Sequence, residues 1–318
     1  MSFILLPPKP PAVPELPESD ELVISYSQIS AWQKCMRAWK WNYLQEIVPI
    51  HTQDYLRLGT YVHKLLEIGY LHLQFGFSTK ETVEIVRDYA STRIGATLTT
   101  EDLGVLVKAL RLVMAYFEKM QKVFDEHARI KQVEYHFKLQ LHTPQGRIFF
   151  LQGYVDLVLE IEGKIWIVDH KTTAGKFWSP LQLQMDGQLS TYSASMANVF
   201  GVAVNFLNTY DYKDFHAQPV TKLFKRVISY RTPKEKESIL QNFGVIVDEI
   251  LDRKERDAFP YSLTSNCPRC PYAELCLMEM KGFDDDSIRL LTEESFTKKQ
   301  RRVDPIADAL SEEGDSSI

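Results

Sequence analysis

The chain has 318 residues, 45% hydrophobic and 25% charged, with a formal net charge of −5. It is long enough to bury a substantial core, its composition is ordinary for a soluble globular protein, and a secreted disulfide scaffold would be smaller and richer in cysteine. No apolar run approaches the roughly 20 residues that span a bilayer, and no basic region followed by an apolar stretch opens the chain. A cytoplasmic protein with no membrane partner is therefore expected. The acidic total weakly disfavours a nonspecific nucleic-acid coat, but leaves room for a local basic groove.

Residues 1–21 contain Pro7, Pro8, Pro10, Pro11, Pro14 and Pro17 and predict a flexible, extended arm. Over 27–44, Ser27 offers a cap, and Ile29, Trp32, Met36, Trp39 and Tyr43 recur at helical spacing. Further helices are predicted over 55–74, which carries His63, and over 80–93 and 102–125. The period then becomes two: Val133, Tyr135, Phe137, Leu139 and Leu141 alternate with polar residues. Strands over 147–160 and 164–169 flank a Glu162-Gly163 turn, with Lys171 just past the second. A helix over 181–199, strands near 202–210 and 219–230, and a helix over 233–256 follow. Residues 281–318 read as an acidic, partly disordered tail. The expected class is α/β (α+β): a mixed sheet flanked by helices, with one domain over 22–280.

Charge inside apolar strands is the strongest chemical signal. Asp156 closes Gly153-Tyr-Val-Asp156, and Asp169 and Lys171 close Ile167-Val-Asp169-His170-Lys171. Such charges are costly unless paired or metal-bound. On adjacent antiparallel strands the two carboxylates can converge at one end of the sheet. Two acids and a cation suit a divalent metal with a positioned water, the requirement of phosphodiester hydrolysis. Three of the four cysteines, Cys267, Cys270 and Cys276, fall within ten residues, and Cys35 lies far upstream. In a cytoplasmic chain that pattern suggests a metal or iron–sulfur site.

The carboxylate–lysine set resembles the PD-(D/E)XK nuclease superfamily in its RecB-like branch. Two further motifs match: Gly59-Thr-Tyr-Val-His63 and Gln188-Leu-Ser-Thr-Tyr192. The resemblance implies a restriction-endonuclease-like core. It implies that His63, Asp156, Asp169 and the backbone carbonyl of His170 hold Mg²⁺ or Mn²⁺, with Glu134 as a further acidic neighbour. It makes Asp156, Asp169, Lys171, Gln188 and Tyr192 the catalytic set. His170 departs from the pattern, since relatives more often carry an apolar or aromatic residue there.

One distant cysteine plus a C-terminal trio resembles the CRISPR-associated adaptation exonucleases and the AddB nuclease domain. That implies a [4Fe–4S] cluster on Cys35, Cys267, Cys270 and Cys276, with Cys₄ zinc as the alternative. The cluster would be a knot joining the N- and C-terminal regions. By loop-closure reasoning such a link could stabilise by about 5 kcal/mol.

The function so implied is a metal-dependent deoxyribonuclease, an exonuclease acting on single strands or DNA ends, in recombination, repair or processing. No GxxxxGK[ST] motor signature occurs, so a helicase, recombination or CRISPR partner protein is a candidate, as is a phage origin in a host cytoplasm. The competing expectation is a non-catalytic DNA-binding or assembly subunit. Lys40, Arg57, Lys64, Lys176, Lys225 and Arg226 are candidate backbone contacts, and Tyr61, Tyr154, Phe177 and Trp178 candidate base-stacking residues.

Overall fold

The computed structural model describes residues 21–50, 53–120, 127–175, 177–210 and 218–299. The Pro-rich arm, apart from Glu21, and Lys176 lie outside them. In chain order the elements are β1 (Val23–Ser25), α1 (Tyr26–Lys34), α2 (Met36–Trp39) running into a π turn (Lys40–Leu44), β2 (Ile47–Pro49), α3 (Asp54–Gln74), α4 (Thr79–Tyr89) and α5 (Thr100–Lys119). Then come β3 (Arg129–His142), β4 (Ile148–Ile161), β5 (Lys164–Thr173), α6 (Pro180–Gln184), α7 (Gly187–Ala194), β6 (Val199–Asn208), α8 (Val220–Leu223) and β7 (Phe224–Ser229). The last are α9 (Pro233–Glu255), α10 (Ala273–Met280), α11 (Asp285–Ser295) and β8 (Phe296–Lys298). Among the described residues no helix is long and apolar enough to cross a membrane.

Four expected boundaries move, for local reasons in all but the strand that holds Lys171. The helix expected over 27–44 breaks at Cys35, whose extended backbone (φ −165°, ψ 115°) caps α2. The helix expected over 181–199 splits at Asp186, whose carboxylate accepts the Leu189 N–H at 2.8 Å and starts α7. β5 does not end at Asp169: its parallel ladder with β6 continues to Thr173↔Asn208, which puts Lys171 inside the strand. The stretch from 219 opens with the short helix α8 before β7 begins. Within the expected acidic tail, Asp284 caps α11 by accepting the Ser287 N–H at 2.7 Å, and β8 follows; residues 300–318 lie outside the described residues.

The chain divides into two compact units. The first comprises the described part of Met1–Tyr26 with Gln53–Glu249. It holds a six-stranded mixed sheet in the order β1-β4-β5-β6-β7, with β3 paired to β4. β3–β4, β4–β5 and β6–β7 are antiparallel; β1–β4 and β5–β6 are parallel. The β4–β5 hairpin turns on Glu162 and Gly163 at φ +51° and +73°, the left-handed pair that matches strand twist.

The apolar faces of α3, α4 and α5 pack with Leu157, Leu159, Val168, Ala203 and Leu207 of the sheet. α3 meets α5 closely at Gly69, where a Cβ would come within 2.2 Å of the Phe117 ring. Phe117 is itself fully buried, so no larger residue fits at 69 without repacking.

The second unit is built from Ser27–Thr52 and Ile250–Ile318. Within it β2 pairs antiparallel with β8. Trp41, Ile47, Tyr272, Leu275 and Phe296 form its core, with Tyr272 stacked on Phe296 at 5.5 Å.

Candidate active site

The site forms where β4 changes partners. One edge of β4 pairs with β1 through Phe150–Gln152 and with β5 from Leu157 onward. Asp156 stands in the interval. The β4–β5 ladder ends at Leu157↔Val168, and the Asp156 carboxylate then catches the splayed strand by accepting the His170 N–H at 2.7 Å. Asp169, one residue earlier on β5, is only 2% exposed.

Polar groups from α3 and β5 reach these two acids, and α7 and β3 bring others nearby. From α3, His63 Nδ1 lies 3.4 Å from Asp156 Oδ2. Lys171, two residues along β5 from Asp169, sets its Nζ 2.7 Å from Asp169 Oδ2. The same ammonium donates to Gln188 Oε1 at 2.8 Å, and Gln188 Nε2 donates to the Tyr192 hydroxyl at 2.8 Å. The i,i+4 spacing on α7 aligns Gln188 and Tyr192 for that contact. The result is a continuous run from Asp169 through Lys171 and Gln188 to Tyr192. Glu134 lies on β3 between Val133 and Tyr135, which pair with Leu157 and Val155, so it sits across from Asp156. Its backbone is left-handed (φ +50°), a strained state for a glutamate in a strand.

The electrostatics are unequal. Burial raises the Asp156 pKa, but His63 and the neighbouring His170 outweigh burial and hold it below the usual carboxylate range. Asp169 is pushed above that range by burial and by repulsion from Asp156, with Lys171 opposing. For His63 the loss of water lowers the pKa, yet Asp156 and Asp169 lift it to about 9. Burial takes the His170 ring down to about 3 and leaves it neutral. Burial and the nearby carboxylates keep Tyr192 protonated.

The ring of His170, which the sequence did not assign, belongs to a second buried network. It stacks on Tyr70 at 5.6 Å and lies 3.4 Å through Nδ1 from Asn205 Nδ2. Asn205 also donates to the Tyr116 hydroxyl at 2.8 Å and accepts from Arg226 Nε at 2.6 Å, and Tyr116 meets the Tyr70 hydroxyl at 2.7 Å. Arg231 was missed as well. It is 8% exposed and donates to Ser190 Oγ, Ser229 Oγ, Gln184 Oε1 and the carbonyls of Leu183 and Tyr230. An asparagine inside Val-Ala-Val-Asn205-Phe-Leu was the available signal for the first network. Nothing local marks Arg231.

The donor chemistry fits a hard divalent cation: the buried Asp169 and the half-buried Asp156 repel each other, and an imidazole stands beside them. Among the described residues, however, no group of three or more His, Cys, Asp or Glu side chains is gathered as a bound metal requires. Asp169 is turned to Lys171 and Asp156 to His63 and the His170 amide.

The four cysteines lie in the second unit, and none is in a disulfide. Burial raises the Cys35 thiol, but hydrogen bonds from Ala38, Ser262 and Arg37 bring it below its ordinary value. Burial and the charges of Cys35 and Cys267 raise Cys270. Burial, Cys270 and Cys35 raise Cys276 to about 11.

Several expected groove cations are engaged elsewhere. Arg57 bonds Asp54, Glu101 and Asp102; Lys64 pairs with Glu67, and Lys40 with Asp257. Tyr61 is half-buried against the helical core, whereas Tyr154 is exposed and lies 4.7 Å from the His136 ring. Lys225 is exposed.

The mixed sheet thus carries Asp156, Asp169 and Lys171 on neighbouring strands. The sequence matches the family model of the PD-(D/E)XK nuclease superfamily over residues 23–277, and the chain belongs to that superfamily. No curated protein matches it. Among solved structures it is similar to SSO0001 at 12% identity and a TM-score of 0.39, covering 81% of this chain and 87% of that one. It is also similar to a protein of Eubacterium rectale described as a presumed exonuclease, at 12% identity and a TM-score of 0.46, covering 78% and 87%.

Proposed function

We propose that the chain is a divalent-metal-dependent deoxyribonuclease, an exonuclease acting on single strands or free DNA ends. One observation carries the reading: at one place on the sheet His63 pairs with Asp156, and beside them Asp169, Lys171, Gln188 and Tyr192 form a continuous polar run. His63, Asp156, Asp169 and the His170 carbonyl would hold Mg²⁺ or Mn²⁺, with Glu134 in support. Bound there, the cation supplies an acidified water and polarises the phosphate. Lys171 orients the attacking water and offsets charge growing on the phosphoryl oxygens. Gln188 and Tyr192 keep that ammonium in place.

Cys35, Cys267, Cys270 and Cys276 are proposed to hold a structural [4Fe–4S] cluster, with zinc as the competing occupant. The setting proposed is DNA recombination, repair or processing, beside a partner that supplies the motor.

The test is cleavage of end-labelled single- and double-stranded DNA with Mn²⁺ or Mg²⁺, using anaerobically purified protein. Metal-dependent release of label by the wild type, lost in Lys171→Ala, is expected. Absence of cleavage on every substrate by metal- and cluster-loaded wild type would overturn the reading.

A further inference from the structure

The loop joining β5 to α6 carries two aromatic residues, Phe177 and Trp178, and it is held at both ends. On one side the Gly175 N–H donates to Asn208 Oδ1 at 3.1 Å, and Asn208 is 4% exposed. On the other, Ser179 and Gln182 form a reciprocal cap that starts α6: Ser179 N–H donates to Gln182 Oε1 at 2.9 Å, and Gln182 N–H to Ser179 Oγ at 3.2 Å. Between these ties both rings rest on Phe206, with centroids 5.7 and 5.5 Å away. Phe206 is 1% exposed, while Phe177 and Trp178 are half-buried.

Below them the sheet lays out charge. Lys171 pairs with Phe206, and Phe206 with Lys225, so lysine, phenylalanine and lysine form one row across β5, β6 and β7. Adjacent strands lie about 4.8 Å apart, which separates the two lysine backbones by about 10 Å. Each lysine approaches one ring: Lys171 Nζ is 5.8 Å from the Trp178 centroid and Lys225 Nζ is 5.6 Å from that of Phe177. These distances lie within cation–π range.

We propose that Phe177 and Trp178 are a base-stacking shelf for single-stranded DNA, beside the phosphate that faces Lys171, with Lys225 meeting a neighbouring phosphate. The proposal rests on the nuclease reading of Lys171 and narrows the substrate of that site to an unpaired strand. A flat ring between two phosphate-seeking cations fits a strand whose bases are unstacked and free to lie on it. A duplex keeps its bases stacked on one another and offers the shelf no free base.

The test measures binding of an oligothymidylate in Ca²⁺, with a gel to verify that the strand stays whole. Trp178→Leu should weaken binding about 5- to 150-fold, the range of a lost base–aromatic contact. Trp178→Phe should retain most of the affinity, and affinity for duplex DNA should be the same in all three proteins. An abasic nucleotide scanned along the strand should weaken wild-type binding at one position and have no further effect there in Trp178→Leu. Equal affinity of Trp178→Leu and wild type would overturn the shelf, as would losses that simply add. If Trp178→Leu does not fold, the abasic scan on wild type and Trp178→Phe decides: a flat scan on both refutes it. The shelf and the nuclease reading fail separately. A cleaving wild type with no Trp178 effect sinks only the shelf; the coupled binding loss without cleavage on any substrate sinks only the nuclease.

Discussion

Asp169 and Lys171 face each other at 2.7 Å in a place where Asp169 has almost no access to water. Removing the cation from such a pair leaves an uncompensated buried charge, typically a loss of about 3–5 kcal/mol. Lys171→Met should therefore melt well below wild type in EDTA. Added Mn²⁺ should restore more of the melting temperature in the mutant than in wild type, because the metal then neutralises both carboxylates. Equal metal responses would show that Asp169 does not depend on Lys171.

His170 gives a pH signature. Its folded pKa of about 3 lies below the ordinary 6.5, so the unfolded chain binds a proton that the native protein refuses. Stability is thus drained as pH falls from about 6.5 toward 3. In metal-free protein, the melting-temperature advantage of wild type over His170→Phe should shrink across that window. An advantage constant with pH would place the ring in water rather than in the buried network.

At the scale of elements, the site depends on how α6 and α7 are seated. Arg231 ties both to the end of β7 through five acceptors, and it is nearly fully buried. A lysine cannot reproduce the planar fork. Arg231→Lys should cost about 1–3 kcal/mol from acceptors left unpaired, and cleavage should fall with it because α7 carries Gln188 and Tyr192. Unchanged melting and cleavage would count against this role. Gly69→Ala tests the α3–α5 contact: overpacking of this kind costs about 1–3 kcal/mol. A denaturant midpoint equal to wild type would mean Phe117 moves freely.

Most helices and strands were readable because capping and periodicity act within a few residues. The misreadings came where local signals competed. Asp186 sits in a helical pattern yet favours a cap, and Lys171 looks like a strand end until β6 is seen alongside it.

For the whole molecule, the second unit gathers two segments from opposite ends of the sequence, Ser27–Thr52 and Ile250–Ile318. Cys35 lies on one, and Cys267, Cys270 and Cys276 on the other. A shared cluster would close a loop of more than two hundred residues. Cys35→Ala should bleach the visible absorption and lower the melting temperature, and an unchanged spectrum and melting point would refute a shared cluster.

The candidate residues were singled out by the sequence alone: an acid inside an apolar strand, an acid and a lysine two apart on the next, a histidine and a Gln-x-x-x-Tyr pair on helices. Those signals survive without a structure because a charge in an apolar run is anomalous wherever the chain goes. Tertiary structure decided which of them meet and through what. His63 reaches Asp156 across 93 positions, the Asp156 carboxylate fills the gap between β4 and β5, and Asn205 joins Tyr116 and His170. It also placed Phe177 and Trp178 above a row of two lysines. Such pairings depend on strand register and helix packing, which are set by burial across the whole fold rather than by neighbours in sequence.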